Sequence, residues 1–128
     1  LPDKARLVLH GHDDELTSVA VSSELDTILS GSTDGSAIVY ALRTGHYIRT
    51  IEQPERHPLA LVAMSNCGLL VLFSLTDCSL HACSINHQRG QPPLASVDVA
   101  ERLSSLIFNV SGDVLFTAGD KGAITLRR

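Results

Sequence analysis

Tryptophan is absent from this 128-residue chain, and aromatic residues of all kinds make up only 4% of it. The core must therefore be filled by Val, Leu, Ile and Ala. Basic clusters are missing too: 10 Lys and Arg lie scattered among 14 Asp and Glu, for a net charge of -4. A duplex-binding surface needs a basic stripe, so nucleic acid is not expected as a partner. No run approaches the ~18–20 apolar residues of a membrane span. The longest, Gly68 to Leu75, is broken by Ser74 and has the length of a strand, so no direct membrane insertion is expected. The N-terminus lacks a basic stretch leading into an apolar one, so no secretory signal is read. Starting at Leu1 without a methionine, the chain reads as part of a longer protein. Its three cysteines, Cys67, Cys78 and Cys83, form no disulfide framework, and an odd count suits a reducing compartment. A cytoplasmic location is the expectation. Helix is also lacking: no segment of ten or more residues keeps a 3.6 period free of Gly, Pro or β-branched clusters.

What is present is a repeat. Hydrophobic residues make up 44% of the chain and charged residues 19%, a globular composition. Asp34, in Gly31-Ser32-Thr33-Asp34-Gly35, recurs 43 positions on as Asp77, in Leu75-Thr76-Asp77-Cys78. A third copy, Thr117-Ala118-Gly119-Asp120-Lys121-Gly122, sets Gly122 44 positions beyond Cys78, at the place of Gly35. Self-similarity at about 40–45 residues marks a β-propeller of four-stranded blades. Since propellers close with roughly four to eight blades, three copies make part of a larger ring. A two-sheet sandwich also has short, evenly spaced strands, but it does not explain a recurring motif.

The first copy reads as strands over Leu16 to Val21, Thr27 to Ser30, Ala37 to Leu42 and His46 to Ile51. Asp34-Gly35 is a strong hairpin signal. The second reads as Leu59 to Met64, Gly68 to Ser74, Leu80 to Ile85 and Leu94 to Val99. It has a long loop from Asn86 to Pro93. The third supplies Leu103 to Val110, Val114 to Ala118 and Ala123 to Arg128. The expected organisation is all-β: residues 1–10 the outer strand of a preceding blade, 11–54 blade one, 55–99 blade two, and 100–128 an incomplete blade three.

Gly11-His12 and Ser30-Gly31-Ser32-Thr33-Asp34-Gly35 together resemble a WD-repeat. The resemblance implies a blade-locking hydrogen-bond network at His12, Ser30 (or Ser32), Asp34 and Tyr40, with Tyr40 in place of the usual Trp. A buried imidazole needs both nitrogens satisfied, and a carboxylate and a hydroxyl meet that need. Copy two keeps Asp77 but has Cys83 at the Trp position and no Gly-His pair. Copy three has Arg127 there, and Lys121 replaces the turn Asp. Only the first copy is therefore expected to carry the full network.

A closer resemblance lies inside the first copy. Gly11-His12, Ser23-Glu24-Leu25-Asp26, Ser30-Gly31-Ser32, Asp34-Gly35 and Gly45-His46-Tyr47-Ile48-Arg49-Thr50 to Pro54 resemble the C-terminal propeller of neurobeachin-like BEACH proteins. The resemblance implies a non-catalytic scaffold for other proteins, in vesicle trafficking and protein localisation, peripheral to intracellular membranes through its parent. It also implies BEACH and lipid-binding-like domains in the same parent chain, with kinase anchoring outside this segment. The alternatives are a WD-repeat subunit or substrate adaptor of another complex and, last, a propeller enzyme.

Sharper chemistry finds little support. Cys78, His81, Cys83 and His87 fit none of the usual zinc frames and read as a blade-core cysteine with surface histidines. No Gly-x-Ser-x-Gly elbow appears, so no catalytic residue is assigned, and no cofactor or metal is expected. Asn109-Val110-Ser111 matches a glycosylation acceptor by coincidence at a strand end. Asp13, Asp14 and Glu15, an acidic run beside Gly11-His12, and Arg89, in the long loop, are the candidate partner-binding rim residues.

Overall fold

The computed structural model describes residues 11, 14–52, 56–74, 76–86, 93–99, 101–109, 114–120 and 124–127, the last four through their backbone. Among these, eleven strands build three sheets. The first joins β1 (Leu16–Ser22), β2 (Thr27–Ser32), β3 (Ser36–Ala41) and β4 (Tyr47–Glu52) in chain order. The second joins β5 (Leu59–Met64), β6 (Leu69–Ser74), β7 (Ser79–Ser84) and β8 (Ala95–Asp98), also in order. The third holds β9 (Leu103–Phe108), β10 (Leu115–Gly119) and β11 (Ile124–Arg127). Every pairing is antiparallel. The sheets meet through their first strands, β1 against β5 and β5 against β9, as propeller blades fanned about one axis do. The expected strand of residues 1–10 lies outside the described residues, as do His12, Asp13, His87, Arg89 and Lys121.

Burial explains the sequence pattern. Leu29, Ala37, Val39 and Ile51 of sheet one pack against Leu59, Val62, Leu70, Leu72 and Cys83 of sheet two. The opposite face of sheet two supplies Ala63, Val71, Phe73 and Leu80, which pack with Val99 and with Leu103 and Leu115 of sheet three. With both faces covered, β6 becomes the unbroken apolar run Leu69-Leu70-Val71-Leu72-Phe73. On β1, by contrast, Val19 and Val21 remain 57% exposed.

Each first strand carries the same irregularity. The ladder slips between Leu16 and Ser18, between Leu59 and Leu61, and where Leu103 and Ser105 meet Gly119 and Ala118. The extra residue at such a bulge re-aims the side chains beside it. Thr17-Ser18, Ala60-Leu61 and Ser104-Ser105 are therefore equivalent pairs. Opposite the second member of each pair stand Gly31, Phe73 and Ala118.

Candidate interaction surface

The second-to-third-strand turns and the segments entering the first strands lie together at one end of the sheets. Glu15 O accepts from Thr33 N at 3.0 Å and from Ser32 Oγ at 2.8 Å. Arg56 Nη2 donates to Asp34 O at 3.3 Å, and His57 Nε2 stands 3.9 Å from Asp77 Oδ2. In sheet three, Asp120 N donates to Arg102 O at 3.0 Å. Among the described residues this rim bears the carboxylates of Asp14, Glu15, Asp34, Asp77, Glu101 and Asp120, with Arg56 and Arg102 the guanidinium groups between them. Asp14 and Glu15 are exposed, and the described part of the rim carries more carboxylates than guanidinium groups.

Two local devices hold its turns. Asp34 Oδ1 accepts from Ser36 N at 2.8 Å and from Ser36 Oγ at 2.6 Å. Asp77 Oδ1 accepts from Ser79 N at 3.3 Å and from Ser79 Oγ at 2.6 Å. The residue between Asp and Ser has positive φ in both: Gly35 at 85° and Cys78 at 53°. Gly35 is required twice, since a Cβ there would also run into the backbone of Arg56. The Ser79 bond, aided by nearby His57 and opposed by desolvation, holds the Asp77 carboxyl below its usual range.

The four residues assigned to a blade-locking network are distributed as follows. Ser30 and Tyr40 are both buried and joined by a side-chain hydrogen bond. Burial raises the Tyr40 phenol above its ordinary pKa, while the Ser30 bond opposes the shift. The phenol oxygen sits where a Cβ on Gly11 would fall, so the glycine before His12 leaves it room. The Asp34 carboxylate accepts from Ser36, and Ser32 Oγ accepts from Asp34 N at 3.2 Å. His12 lies outside the described residues.

Copy two, which was not expected to carry the full arrangement of copy one, holds a different hydrogen-bonded chain of its own. His81, read from the sequence as a surface histidine, is half-buried with both ring nitrogens engaged, Nε2 to Ser79 Oγ at 2.9 Å and Nδ1 to Ser96 Oγ at 2.8 Å. Ser79 gives its single hydroxyl hydrogen to Asp77, so it can only accept from His81. The imidazole therefore carries its proton on Nε2. The chain Asp77–Ser79–His81–Ser96 ties the third strand to the short outer strand. Asp77, Ser79 and His81 alternate along the sequence, and that spacing was the available signal. Cys83 is 2% exposed in the core, and burial pushes its thiol up to about 11. No group of three or more metal-ligating side chains gathers among the described residues.

Comparison with known proteins agrees with this architecture. Residues 1–128 match the family described as the neurobeachin beta propeller domain. The chain is 38% identical over 127 residues to BEACH domain-containing protein B of Arabidopsis thaliana, covering 99% of this chain and 5% of that protein. A 59-residue stretch is 29% identical to BEACH domain-containing protein lvsD of Dictyostelium discoideum, covering 46% of this chain and 2% of that protein. The chain thus spans a small fraction of the relatives it matches. Among solved structures, the β-propeller domain of Myceliophteria thermophila Cps50 (Swd1) superposes with a TM-score of 0.71 at 18% identity. That match covers 92% of this chain and 39% of the solved one, and the likeness is one of fold.

Proposed function

We propose that this chain, which belongs to the neurobeachin β-propeller domain family, is a non-catalytic protein-interaction segment of a BEACH-type protein. Its parent works in vesicle and membrane trafficking and in protein localisation, in the cytoplasm and peripheral to intracellular membranes. The carrying observation is the acidic rim held by the Asp34–Ser36 and Asp77–Ser79 turns. Stiff sheets fix short loops whose exposed groups are free to make contacts. A surface of this sign favours basic segments of a partner protein and gains most in association rate at low salt. The parent's other domains supply membrane proximity, a lipid-binding-like surface and kinase anchoring, while this segment adds protein contacts.

The test replaces Asp14 and Glu15 with Lys in the full-length parent and follows both proximity labelling and membrane fractionation. A loss of defined protein neighbours, with the parent still folded and still membrane-associated, is the expected result. An unchanged neighbour set would remove the rim from the function. The adaptor alternative predicts a different outcome, in which the neighbours are subunits of one fixed complex and membrane fractionation plays no part.

A further inference from the structure

The outer parts of sheets one and two turn polar side chains towards each other. Ile51 on β4 and Cys83 on β7 belong to the core between those sheets. Arg49 and His81 each stand two residues before them along unbroken stretches of ladder, so both share the inward face. Ser96 pairs with His81 across β7 and β8 and lies on the same face. Counted from the rim, Arg49 is three ladder steps down β4 and Ser96 two steps down β8. The two therefore stand at nearly one height on neighbouring outer strands.

Arg49 is half-buried, and its Nε is enclosed with no hydrogen-bond partner among the described residues. A guanidinium keeps its charge at any working pH, and an anion is the partner that satisfies it. Ser96 is exposed, as is every residue of β8, and that four-residue strand is paired with β7 at the edge of its sheet. The hydroxyl is open to an enzyme. It lies 2.8 Å from His81 Nδ1 and, with the imidazole proton on Nε2, gives its hydrogen to that nitrogen.

We propose that Ser96 is a phosphorylation site whose phosphate is held between the two sheets by Arg49 and His81. A protein kinase transfers the terminal phosphoryl group of a nucleoside triphosphate. The Ser96 Oγ–P bond forms, the bond from that phosphorus to the bridging oxygen breaks, and the nucleoside diphosphate and the hydroxyl proton leave. Phosphoserine has no hydrogen left for Nδ1. His81 takes a proton from water, donating from Nδ1 to the phosphate and from Nε2 to Ser79, so the Asp77–Ser79–His81 chain persists. Arg49 supplies a second positive charge and a planar fork for the phosphate oxygens. Asp98, two residues beyond Ser96 on the same face, opposes the added charge, which is why both cations are needed. The phosphate ties β4 to β8 at the periphery, and the inference is independent of the rim.

The test uses the intact parent protein. Mass spectrometry of the parent, isolated from its own cells under phosphatase inhibition, should find phosphate on Ser96 in the peptide Gly90 to Arg102. Phosphoserine is then installed at Ser96 during synthesis, and hydrogen exchange is compared with and without it, in the unaltered protein and in Arg49→Met. With phosphoserine, amides of β4 and β8 should exchange roughly tenfold more slowly, the scale of one charge-assisted hydrogen bond. Arg49→Met should abolish that difference, and Arg49→Lys should restore part of it. Absence of phosphate on Ser96, or an effect of phosphoserine that is the same with and without Arg49, overturns the proposal. Faster exchange in β8 on phosphorylation overturns it too, since an unpaired charge would push the strand off its sheet.

Discussion

The two contacts between neighbouring sheets use the same strand positions with opposite chemistry. Between sheets one and two, Thr17 and Ser18 bond to the backbone of β5, and Ser22 Oγ reaches Asn66 Oδ1 at 3.2 Å. Gly31 lets the strands close: a Cβ there would lie 2.8 Å from Val62 Cγ1. Between sheets two and three, Ala60 and Leu61 replace the hydroxyls and Phe73 replaces Gly31, so an aromatic ring with 0% exposure fills the gap. One joint is fastened by directional bonds at close range, the other by volume. A degenerate repeat keeps its fold when the members of a contact change together.

The largest test of that contrast is Phe73→Ala, which should cost about 3–5 kcal/mol, measured by urea unfolding of the complete propeller. Hydrogen-exchange protection should fall first in β9 and β10. A loss spread evenly over all three sheets would mean that the ring does not act at that joint.

Next comes Gly31→Ala, which forces Val62 or the sheet to move and should cost roughly 1–3 kcal/mol by overpacking. Ala118, at the same ladder position, should tolerate the reverse change to Gly at under about 1 kcal/mol, the entropy of the glycine. Equal effects at the two positions would show that the close approach to Val62 carries no strain.

Ser18→Ala follows, leaving the Val62 N–H without its acceptor at a cost of about 1–3 kcal/mol. Leu61→Ser, its counterpart at the apolar joint, should be damaging through lost packing. Restoring stability by pairing Ser18→Leu with Gly31→Phe would argue that the two joints are interchangeable, an outcome the 2.8 Å approach at Gly31 opposes.

The smallest effects are in titration. Asp77 has a lowered carboxyl pKa, so its contribution is fully present above the unfolded value near 4 and is lost as pH falls through the lowered folded value. Asp77→Asn should flatten the acid side of the stability profile slightly. For Cys83 the thiol is raised from 9.0 to about 11. The folded state holds that proton longer, and stability falls as pH rises between those two values. Alkylation read by mass spectrometry should mark exposed Cys67 before buried Cys83.

Strand order and hairpins were legible because two signals agree. Apolar alternation marks half-covered strands, and Asp34-Gly35 with its echo at Asp77 marks the turns. The core cysteine was legible for the same reason, since Cys83 continues the pattern of β7. The polar joints were not. A bulge inserts one residue with no compositional mark, and Thr17-Ser18 reads as ordinary strand until the ladder places both hydroxyls on one side. The histidine chain was half visible: Asp77, Ser79 and His81 share a strand face, whereas Ser96 arrives from a strand beyond a long loop. Ser32 reaches the turn because it stands opposite Leu16, at the strand end where Glu15 O is within reach.

The recurring bulge also gives the assembly a polarity. In a regular strand, consecutive side chains point to opposite sides, so Thr17 and Ser18 would address two different neighbours. With the extra residue, both turn towards the sheet that comes later in the chain. Successive sheets are therefore coupled head to tail. A sheet exchanged in the wrong order would set the hydroxyl pair of β1 against a surface shaped for apolar packing, or Ala60-Leu61 against one shaped for hydrogen bonds. The arrangement discriminates against misordered assembly without any residue reserved for that purpose.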